Sequence, residues 1–253
     1  MLEANQVVIC SDRGQVRPTN EDYASHYIPP DADIRTRLGS LFIIADGIGG
    51  RNAGEVASAE AVATLQQEYY FGRYSTDPSR RLEQATARAN FHVFDMSWAM
   101  SSASNMGCAM TSLLLCRDRY YISHVGDTQC LLIRGGAAQK LTSDHHAASP
   151  VPRFGAGLFN QRPAGADQRR SFLTRAIGME MAVRPDIREG AIRPGDCFAL
   201  MTDGLTAYLS REEITAALLN SPDLEAAVPA LIAEGNRRGG GDNLTLMVLA
   251  LKG

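Results

Sequence analysis

Aspartates at the ends of short apolar segments are the residues of this sequence best suited to chemistry. The segment Leu41–Ala45 ends at Asp46, and a glycine-rich turn, residues 47–50, follows. An apolar run bounded by glycine predicts a strand buried on both faces, and backbone without Cβ atoms lets a ligand approach closely. A carboxylate held there is a suitable ligand for a hard cation. An isolated Asp-Gly pair, however, is more often only a tight turn.

Repetition of this arrangement favours the chemical interpretation. Asp203 follows another short apolar segment and precedes a glycine, and Asp127 comes two residues after a third segment. Asp242 precedes the final apolar run, residues 244–251. Four aspartates at predicted strand ends, spread over the chain, are what a site for several cations would look like if folding assembled it.

Composition excludes several classes of protein. A chain of 253 residues can form one large domain with a full core. A net charge of -3 gives no electrostatic footprint for nucleic acid or an anionic membrane. The sequence begins without the basic and apolar segments of a signal peptide, and no apolar run reaches the roughly 20 residues of a membrane helix. We therefore expect a cytoplasmic protein with no nucleic-acid or membrane partner.

Cysteine usage indicates buried thiols. The five cysteines form no Cys-x-x-Cys pair and lie inside apolar segments. We expect reduced core residues rather than disulfides or zinc ligands.

The order of predicted elements indicates the fold class. Predicted strands occur in neighbouring groups, and predicted helices occur in two consecutive pairs. The first pair spans Ala53–Tyr70 and Arg80–Met100, where apolar residues recur every three or four positions. The second pair begins after Ser210, which forms a capping box with Glu213. This order favours antiparallel sheets over a βαβ alternation. We predict a single α+β domain, residues 1–253, with a central antiparallel β-sandwich between two pairs of helices, a four-layer α/β/β/α arrangement.

Two segments are predicted to be irregular. Pro29–Asp33 is expected to be a surface connection. Residues 145–170 contain several prolines and glycines without sustained periodicity, and long loops of this kind in compact domains are often functional.

The motifs together resemble those of a known family. In chain order they are Arg17-Pro18-Thr19-Asn20-Glu21-Asp22, similar to R-x-x-N-x-D; Asp46-Gly47-Ile48-Gly49-Gly50, similar to D-G-x-G-G; Gly126-Asp127, the start of G-D-S-R; Thr142-Ser143-Asp144-His145, similar to T-x-D-H; Leu173-Thr174-Arg175-Ala176-Ile177-Gly178, similar to L-T-R-A-x-G; then Asp203-Gly204 and Asp242-Asn243. Each motif is weak alone, but their shared order and spacing resemble the bacterial branch of the metal-dependent protein phosphatase 2C family over nearly the whole chain.

The resemblance implies a site for two core ions, Mn²⁺ or Mg²⁺. Asp46 would bridge the two ions, and the carbonyl of Gly47 would bind one of them. Asp203 and Asp242 would complete the shell of the other ion. Carboxylates, a carbonyl and water are the ligands that these cations prefer.

The resemblance also assigns the surrounding residues. Glu21 and Asp22 would hold metal-bound water, and Asp127 would help to bind a weaker third ion. Arg17 would contact the substrate phosphate, because a guanidinium fork suits two phosphate oxygens. The implied reaction is in-line attack on phosphorus by a hydroxide that bridges the two ions. Its catalytic residues would be Asp46, Asp203, Asp242 and Arg17.

The implied function is a protein serine/threonine phosphatase. It would hydrolyse phosphoserine and phosphothreonine in proteins, reverse the action of a bacterial Ser/Thr kinase, and act as a monomer. Two alternatives remain open: a catalytically silent phosphoprotein- or ligand-binding module on the same fold, and a structural Ca²⁺ protein, although the latter does not explain Arg17.

The chain departs from the family pattern at several positions. Ile48 stands where some relatives have a histidine that acts as general acid, so water or substrate geometry must supply the leaving-group proton. Thr128 and Gln129 replace the usual Ser-Arg. The loop at residues 145–170 is in the position of the family's mobile flap. We hypothesise that its arginines favour acidic phosphopeptides; they are Arg153, Arg162, Arg169 and Arg170.

Overall fold

Two antiparallel sheets face each other, and helices cover the outer face of each. The computed structural model describes residues 4–49, 53–99, 106–148, 171–221 and 223–252. The strands of this part are β1 (Ala4–Asp12), β2 (Asp22–Tyr27), β3 (Ser40–Ile48), β4 (Gly107–Cys116), β5 (Arg119–Val125), β6 (Gln129–Arg134), β7 (Ala137–Lys140), β8 (His146–Ala148), β9 (Ser171–Leu173), β10 (Asp186–Ala191), β11 (Cys197–Met201) and β12 (Leu244–Leu251). The helices are α1 (Ala32–Leu38), α2 (Ala53–Phe71), α3 (Pro78–Ala99), α4 (Asp203–Thr206), α5 (Arg211–Asn220) and α6 (Leu224–Arg237).

The strand order defines the two sheets. The first sheet runs β1-β12-β11-β6-β7, and the second runs β10-β5-β4-β3-β2. Paired strands in both sheets are antiparallel. Strands β8 and β9 form a separate two-stranded antiparallel sheet. The predicted α+β sandwich is confirmed.

Three layers of apolar side chains hold the arrangement together. Strand β3 contributes to two of them, because its successive side chains point to opposite faces. Phe42 and Ile44 pack between the sheets, whereas Leu41 and Ile43 pack under α2 and α3. The third layer lies between the first sheet and the helices α4, α5 and α6. Apolar residues on both faces of a strand therefore follow from its position between the opposite sheet and a helical layer.

The strand ends bring the predicted motifs to one end of the sandwich. Asp22 begins β2 directly opposite Asp46 near the end of β3. Strand β11 ends just before Asp203, and β12 begins just after Asp242 and Asn243. These two ends are joined where the backbone N–H of Thr202 donates to the carbonyl of Thr245. Each sheet thus delivers carboxylates to the same region.

Two local predictions differ from the structure. Pro29–Asp33 is not entirely a loop, because α1 begins at Ala32, and the carboxylate of Asp31 caps it by accepting from the N–H groups of Asp33 and Ile34. The second irregular segment begins as β8, and its residues 149–170, with the four arginines named above, lie outside the described residues. No helix in the described part of the chain is long and apolar enough to span a membrane.

Candidate metal centre

Asp22 has an unusual environment at the start of β2. Its side chain is buried, and its Oδ2 accepts hydrogen bonds from the hydroxyls of Thr202 at 2.9 Å and Thr245 at 2.6 Å. Its Oδ1 is buried without a hydrogen-bond partner among the described residues. A buried carboxylate oxygen without a partner is unfavourable. The two threonines therefore hold the carboxylate in place while one oxygen remains available to a cation or to water.

Asp203 and Asp242 come from the first sheet. Asp203 is the first residue of α4, and Asp242 lies in the turn before β12. Gly204 allows these two segments to meet, because a Cβ at this position would overlap the carbonyl oxygen of Asn243. Asp242 Oδ2 accepts a hydrogen bond from Arg17 Nη2 at 2.8 Å. The predicted phosphate-binding arginine therefore lies beside a predicted metal ligand.

The backbone of Glu21 connects the two sheets. Its N–H donates to Asn243 Oδ1 at 2.8 Å, and its carbonyl accepts from the N–H of Gly47 at 3.0 Å and from the hydroxyl of Ser58 at 2.6 Å. At Gly47 a Cβ would overlap the carbonyl oxygen of Gly54 in α2. The glycine in the Asp-Gly motif is therefore required by the close packing of β3 against the first turn of α2.

The carboxylates are close enough to influence one another's ionisation. Burial, followed by the charges of the other four aspartates named above, raises the pKa of Asp46 well above its usual range; those four are Asp22, Asp203, Asp127 and Asp242. Burial is also the main cause that raises the pKa of Asp22 to about 7, against the opposing effect of its two threonine hydrogen bonds. Burial and then Asp203 raise the pKa of Asp242, although Arg17 opposes the shift. A concentration of negative charge of this kind is stabilised by cations.

Asp127 occupies the edge of this group of carboxylates, after β5. It is buried, and its Oδ2 lies 2.8 Å from Nε2 of His146. Burial raises the pKa of Asp127, while His146 opposes that effect. Sequence reasoning did not single out His146. The only signal was a second histidine directly after the T-x-D-H motif.

The predicted residues are neighbours without forming a closed coordination shell. Among the described residues, no three aspartate, glutamate, histidine or cysteine side chains stand close enough together to hold one ion. Two of these aspartates are each paired with a basic side chain. Asp242 is paired with Arg17, and Asp127 is paired with His146.

The donor chemistry fits divalent ions with oxygen ligands. The group consists of carboxylates from both sheets, and one buried oxygen of Asp22 lacks a partner among the described residues. The nearby thiol of Cys108 does not compete as a ligand, because its burial and then the charge of Asp46 raise its pKa and keep it neutral. Oxygen donors without thiolate favour Mg²⁺ or Mn²⁺ over a structural zinc ion.

Comparison with known proteins gives a consistent result. A family model described as "Protein phosphatase 2C" matches residues 15–244. The protein phosphatase PhpP of Streptococcus pneumoniae is 26% identical over 260 residues, which cover 97% of each chain. The crystal structure of the Mycobacterium tuberculosis serine/threonine phosphatase PstP/Ppp is similar with a TM-score of 0.79 and 28% identity, over 98% of this chain and 99% of that one. The catalytic domain of PstP in complex with two manganese ions is similar with a TM-score of 0.77 and 27% identity, over 98% of both chains.

Proposed function

Since the chain belongs to the protein phosphatase 2C family, we propose that it is a metal-dependent phosphatase that hydrolyses phosphoserine and phosphothreonine in proteins. One observation carries the proposal most directly. Buried or partly buried aspartates from both sheets meet at one end of the sandwich, with the guanidinium of Arg17 against one of them. This end of the sandwich combines negative charge for cations with a fork for phosphate.

The residues of the first motif and of the two sheets would hold the metal ions. Asp46, the Gly47 carbonyl, Asp203 and Asp242 are proposed ligands of the two core ions, Mn²⁺ or Mg²⁺. Glu21 and Asp22 would hold metal-bound water, and Asp127 would help to bind a weaker third ion. When bound, two divalent ions lower the pKa of water toward neutrality and neutralise charge on the phosphoryl group.

The chain's own part in the reaction is to bind and orient the phosphate. Arg17 can donate two parallel hydrogen bonds to phosphate oxygens. Because Arg17 lies beside Asp242, a phosphate bound by it would be next to a proposed metal ligand. Thr202 and Thr245 hold Asp22 in a fixed orientation. No cysteine in the chain has the Cys-x₅-Arg spacing of cysteine phosphatases. In the proposed reaction a hydroxide, and not a protein side chain, attacks phosphorus.

Several finer parts of the proposal stay predictions. They are opposition to a bacterial Ser/Thr kinase, action as a monomer in the cytoplasm, and one catalytic domain over residues 1–253. The family match over residues 15–244 supports the single domain, and the relatives named above support phosphorylated proteins as substrates. Nothing favours the silent binding module, since no aspartate of the predicted ligand set is missing.

The test is metal-dependent turnover. We expect Mn²⁺ to support hydrolysis of p-nitrophenyl phosphate and phosphothreonine peptides, and a chelator to suppress it. Asp46→Asn and Asp203→Asn should each abolish hydrolysis, because either change removes a charge on which the ions depend. Asp33→Asn, on the exposed surface of α1, is the matched control and should keep full activity. Full turnover by both site variants would refute the assignment, and peptide binding by the wild type without turnover would indicate the silent module.

A further inference from the structure

A cavity of about 670 Å³ opens at the flank of the sandwich, away from the carboxylates of the metal centre. It lies between β10, the edge strand of the second sheet, and the segment that follows β7, the edge strand of the first. We call it the flank channel. The lining residues that matter here are Ser143, Arg175, Arg184, Asp186 and Arg188.

The flank channel carries positive charge that the described part of the chain does not neutralise. Asp186 is already engaged, since its Oδ1 pairs with Arg175 Nη1 at 2.8 Å and its Oδ2 lies 3.2 Å from Nε2 of His145. Among the described residues, neither Arg184 nor Arg188 forms an ion pair with a carboxylate. Arg188 instead donates to the carbonyl of Leu141 at 3.2 Å, which anchors its guanidinium across the gap between the two sheets.

The other polar walls of the channel do not cancel this charge. Burial, and then the neighbouring His145, lower the pKa of His124 to about 4, so its ring is neutral. Both nitrogens of His124 are engaged, one by the hydroxyl of Thr111 at 2.8 Å and the other by the carbonyl of Ser143 at 3.1 Å. Glu83, on the exposed face of α3, is a carboxylate at the rim that is not paired within the described residues. Two unpaired arginines against one exposed carboxylate leave the channel suited to an anion.

Strand register relates the channel to the metal centre. Ile44 lies opposite Thr111, Thr111 opposite His124, and His124 opposite Asp186. Three strand spacings therefore separate β3 from β10, a distance of about 14 Å at about 4.8 Å per spacing. Arg184 lies two residues before β10 begins, and Asp46 lies two residues after Ile44 in β3, so both lie toward the same end of the second sheet. An extended peptide covers about 14 Å with about four residues.

We propose that the flank channel binds an anionic side chain of the phosphoprotein substrate, carried about four residues from the phosphoresidue. This inference rests on the proposed function. A cavity of about 670 Å³ is far larger than a single phosphate ion requires, and it is open at the surface, as a site for part of a chain must be. Arg184 would contact the anionic side chain at this distance. Arg188, which is in register with Phe42, would add positive charge farther along the channel. A carboxylate and a second phosphate are both anions whose paired oxygens fit a guanidinium fork.

The test compares peptides that differ only in one charge. Phosphothreonine peptides carry a single Glu, Gln or Lys at each position from two to six residues on either side, and kcat/KM is measured with Mn²⁺. The wild type should prefer Glu near the fourth position by about fivefold, the size of one or two partly exposed ion pairs. Arg184→Gln/Arg188→Gln should lose this preference, Arg184→Glu/Arg188→Glu should prefer Lys at that position, and Arg188→Lys should retain the preference for Glu.

Three controls separate the channel from the metal centre. Hydrolysis of p-nitrophenyl phosphate should be unchanged in the double variant, because this substrate is too short to reach the channel. Arg211→Gln, exposed at the start of α5 on the opposite helical layer, should keep the peptide preference. Binding of the same peptides to the wild type by fluorescence anisotropy gives the preference without turnover, so a failure of the proposed function leaves this inference testable.

Two results would overturn the inference. One is an equal response of the wild type to Glu and Gln at every position in both assays. The other is an Arg184→Gln/Arg188→Gln variant that keeps the preference for Glu over Gln. If this variant changed only the inhibition by inorganic phosphate, the channel would be a site for free phosphate.

Discussion

At the level of single residues, Arg17 can pair with Asp242 or with a substrate phosphate, and its contact with one limits its contact with the other. Its guanidinium donates to Asp242 at 2.8 Å, and both side chains are about one-third exposed. Asp242 is a proposed metal ligand, and Arg17 is the proposed phosphate contact. A phosphate and an ion arriving together would each take one member of this pair. The pair therefore keeps both groups at the site without a large desolvation penalty.

This arrangement predicts how Arg17 variants behave. Arg17→Ala should lower kcat/KM for phosphopeptides by about 100-fold, because a donor aimed at the phosphate is lost. Arg17→Lys should recover only part of the activity, since an ammonium keeps the charge but not the fork. Calorimetric titration with Mn²⁺ should give an affinity at least as high as that of the wild type, because Asp242 loses its competing partner. A parallel loss of Mn²⁺ affinity would instead mean that Arg17 positions Asp242.

Residue types and spacing indicated the candidate site only where the chemistry is local. Asp46 and Asp203 could be recognised because a carboxylate ends an apolar run and glycine follows. His146 could not be recognised in this way, because its contact with Asp127 depends on β8 passing the end of β5. The roles of Thr202 and Thr245 were equally hidden. Their hydroxyls matter only because Asp22, about 180 residues earlier than Thr202, is buried between them.

At the level of elements, Arg81 holds together the junction of α2 and α3. Its side chain is buried, and its guanidinium donates to the carbonyls of Tyr69, Tyr70 and Gly72. These carbonyls lie at the C-terminal end of α2, where backbone acceptors lack partners within the helix. The positive charge also complements the negative end of the helix dipole.

Removal of this cap should destabilise the protein without affecting the site. Arg81→Met should reduce the free energy of unfolding by about 2–4 kcal/mol, because several buried carbonyls lose a charged donor. Arg80→Met is the matched control, since Arg80 is exposed, and its effect should stay within about 0.5 kcal/mol. Urea unfolding monitored by circular dichroism measures both values. Equal stability of the two variants would contradict the capping role.

The elements themselves were predictable to different degrees. The helices α2 and α3 follow from apolar periodicity, and their observed ends lie within two residues of the prediction. Helix α1 was missed because two prolines indicate a turn, while the capping carboxylate of Asp31 directly after them is a signal that could have located it. The start of β10 at Asp186 could not be predicted from the sequence. Residues 182–185 have no apolar alternation that would separate the end of a loop from the start of an edge strand.

At the level of the whole molecule, the candidate metal centre lies where the two sheets meet. The second sheet contributes Asp22 and Asp46, and the first contributes Asp203 and Asp242. Ions bound there would link the two halves of the sandwich. Sequence could predict which carboxylates belong together, but not how far apart they stand without ions. The packing of the complete fold brings these buried carboxylates together against their mutual repulsion.

This balance predicts opposite pH dependences for the metal-free and metal-bound protein. The folded-state pKa of Asp22 is raised to about 7, against about 4 in an unfolded chain. Its protonated form therefore contributes stability that is fully present below about pH 4 and is lost as the pH rises toward 7. Metal ligands must be deprotonated, so stabilisation by Mn²⁺ should grow over the same range. At a Mn²⁺ concentration of 100 times Kd, each ion should add about 2.7 kcal/mol.

Thermal unfolding between pH 5 and 8, with either EDTA or Mn²⁺, separates these effects. Asp22→Asn cannot ionise, so with EDTA its stability relative to the wild type should increase as the pH rises. With Mn²⁺ the order should reverse, because the variant lacks a carboxylate near the ions. The difference between the two proteins isolates Asp22 from every other titrating group that both share. A stability difference in EDTA that did not change with pH would contradict this prediction. Burial of the charged Asp22 carboxylate would then not limit the stability of the metal-free protein.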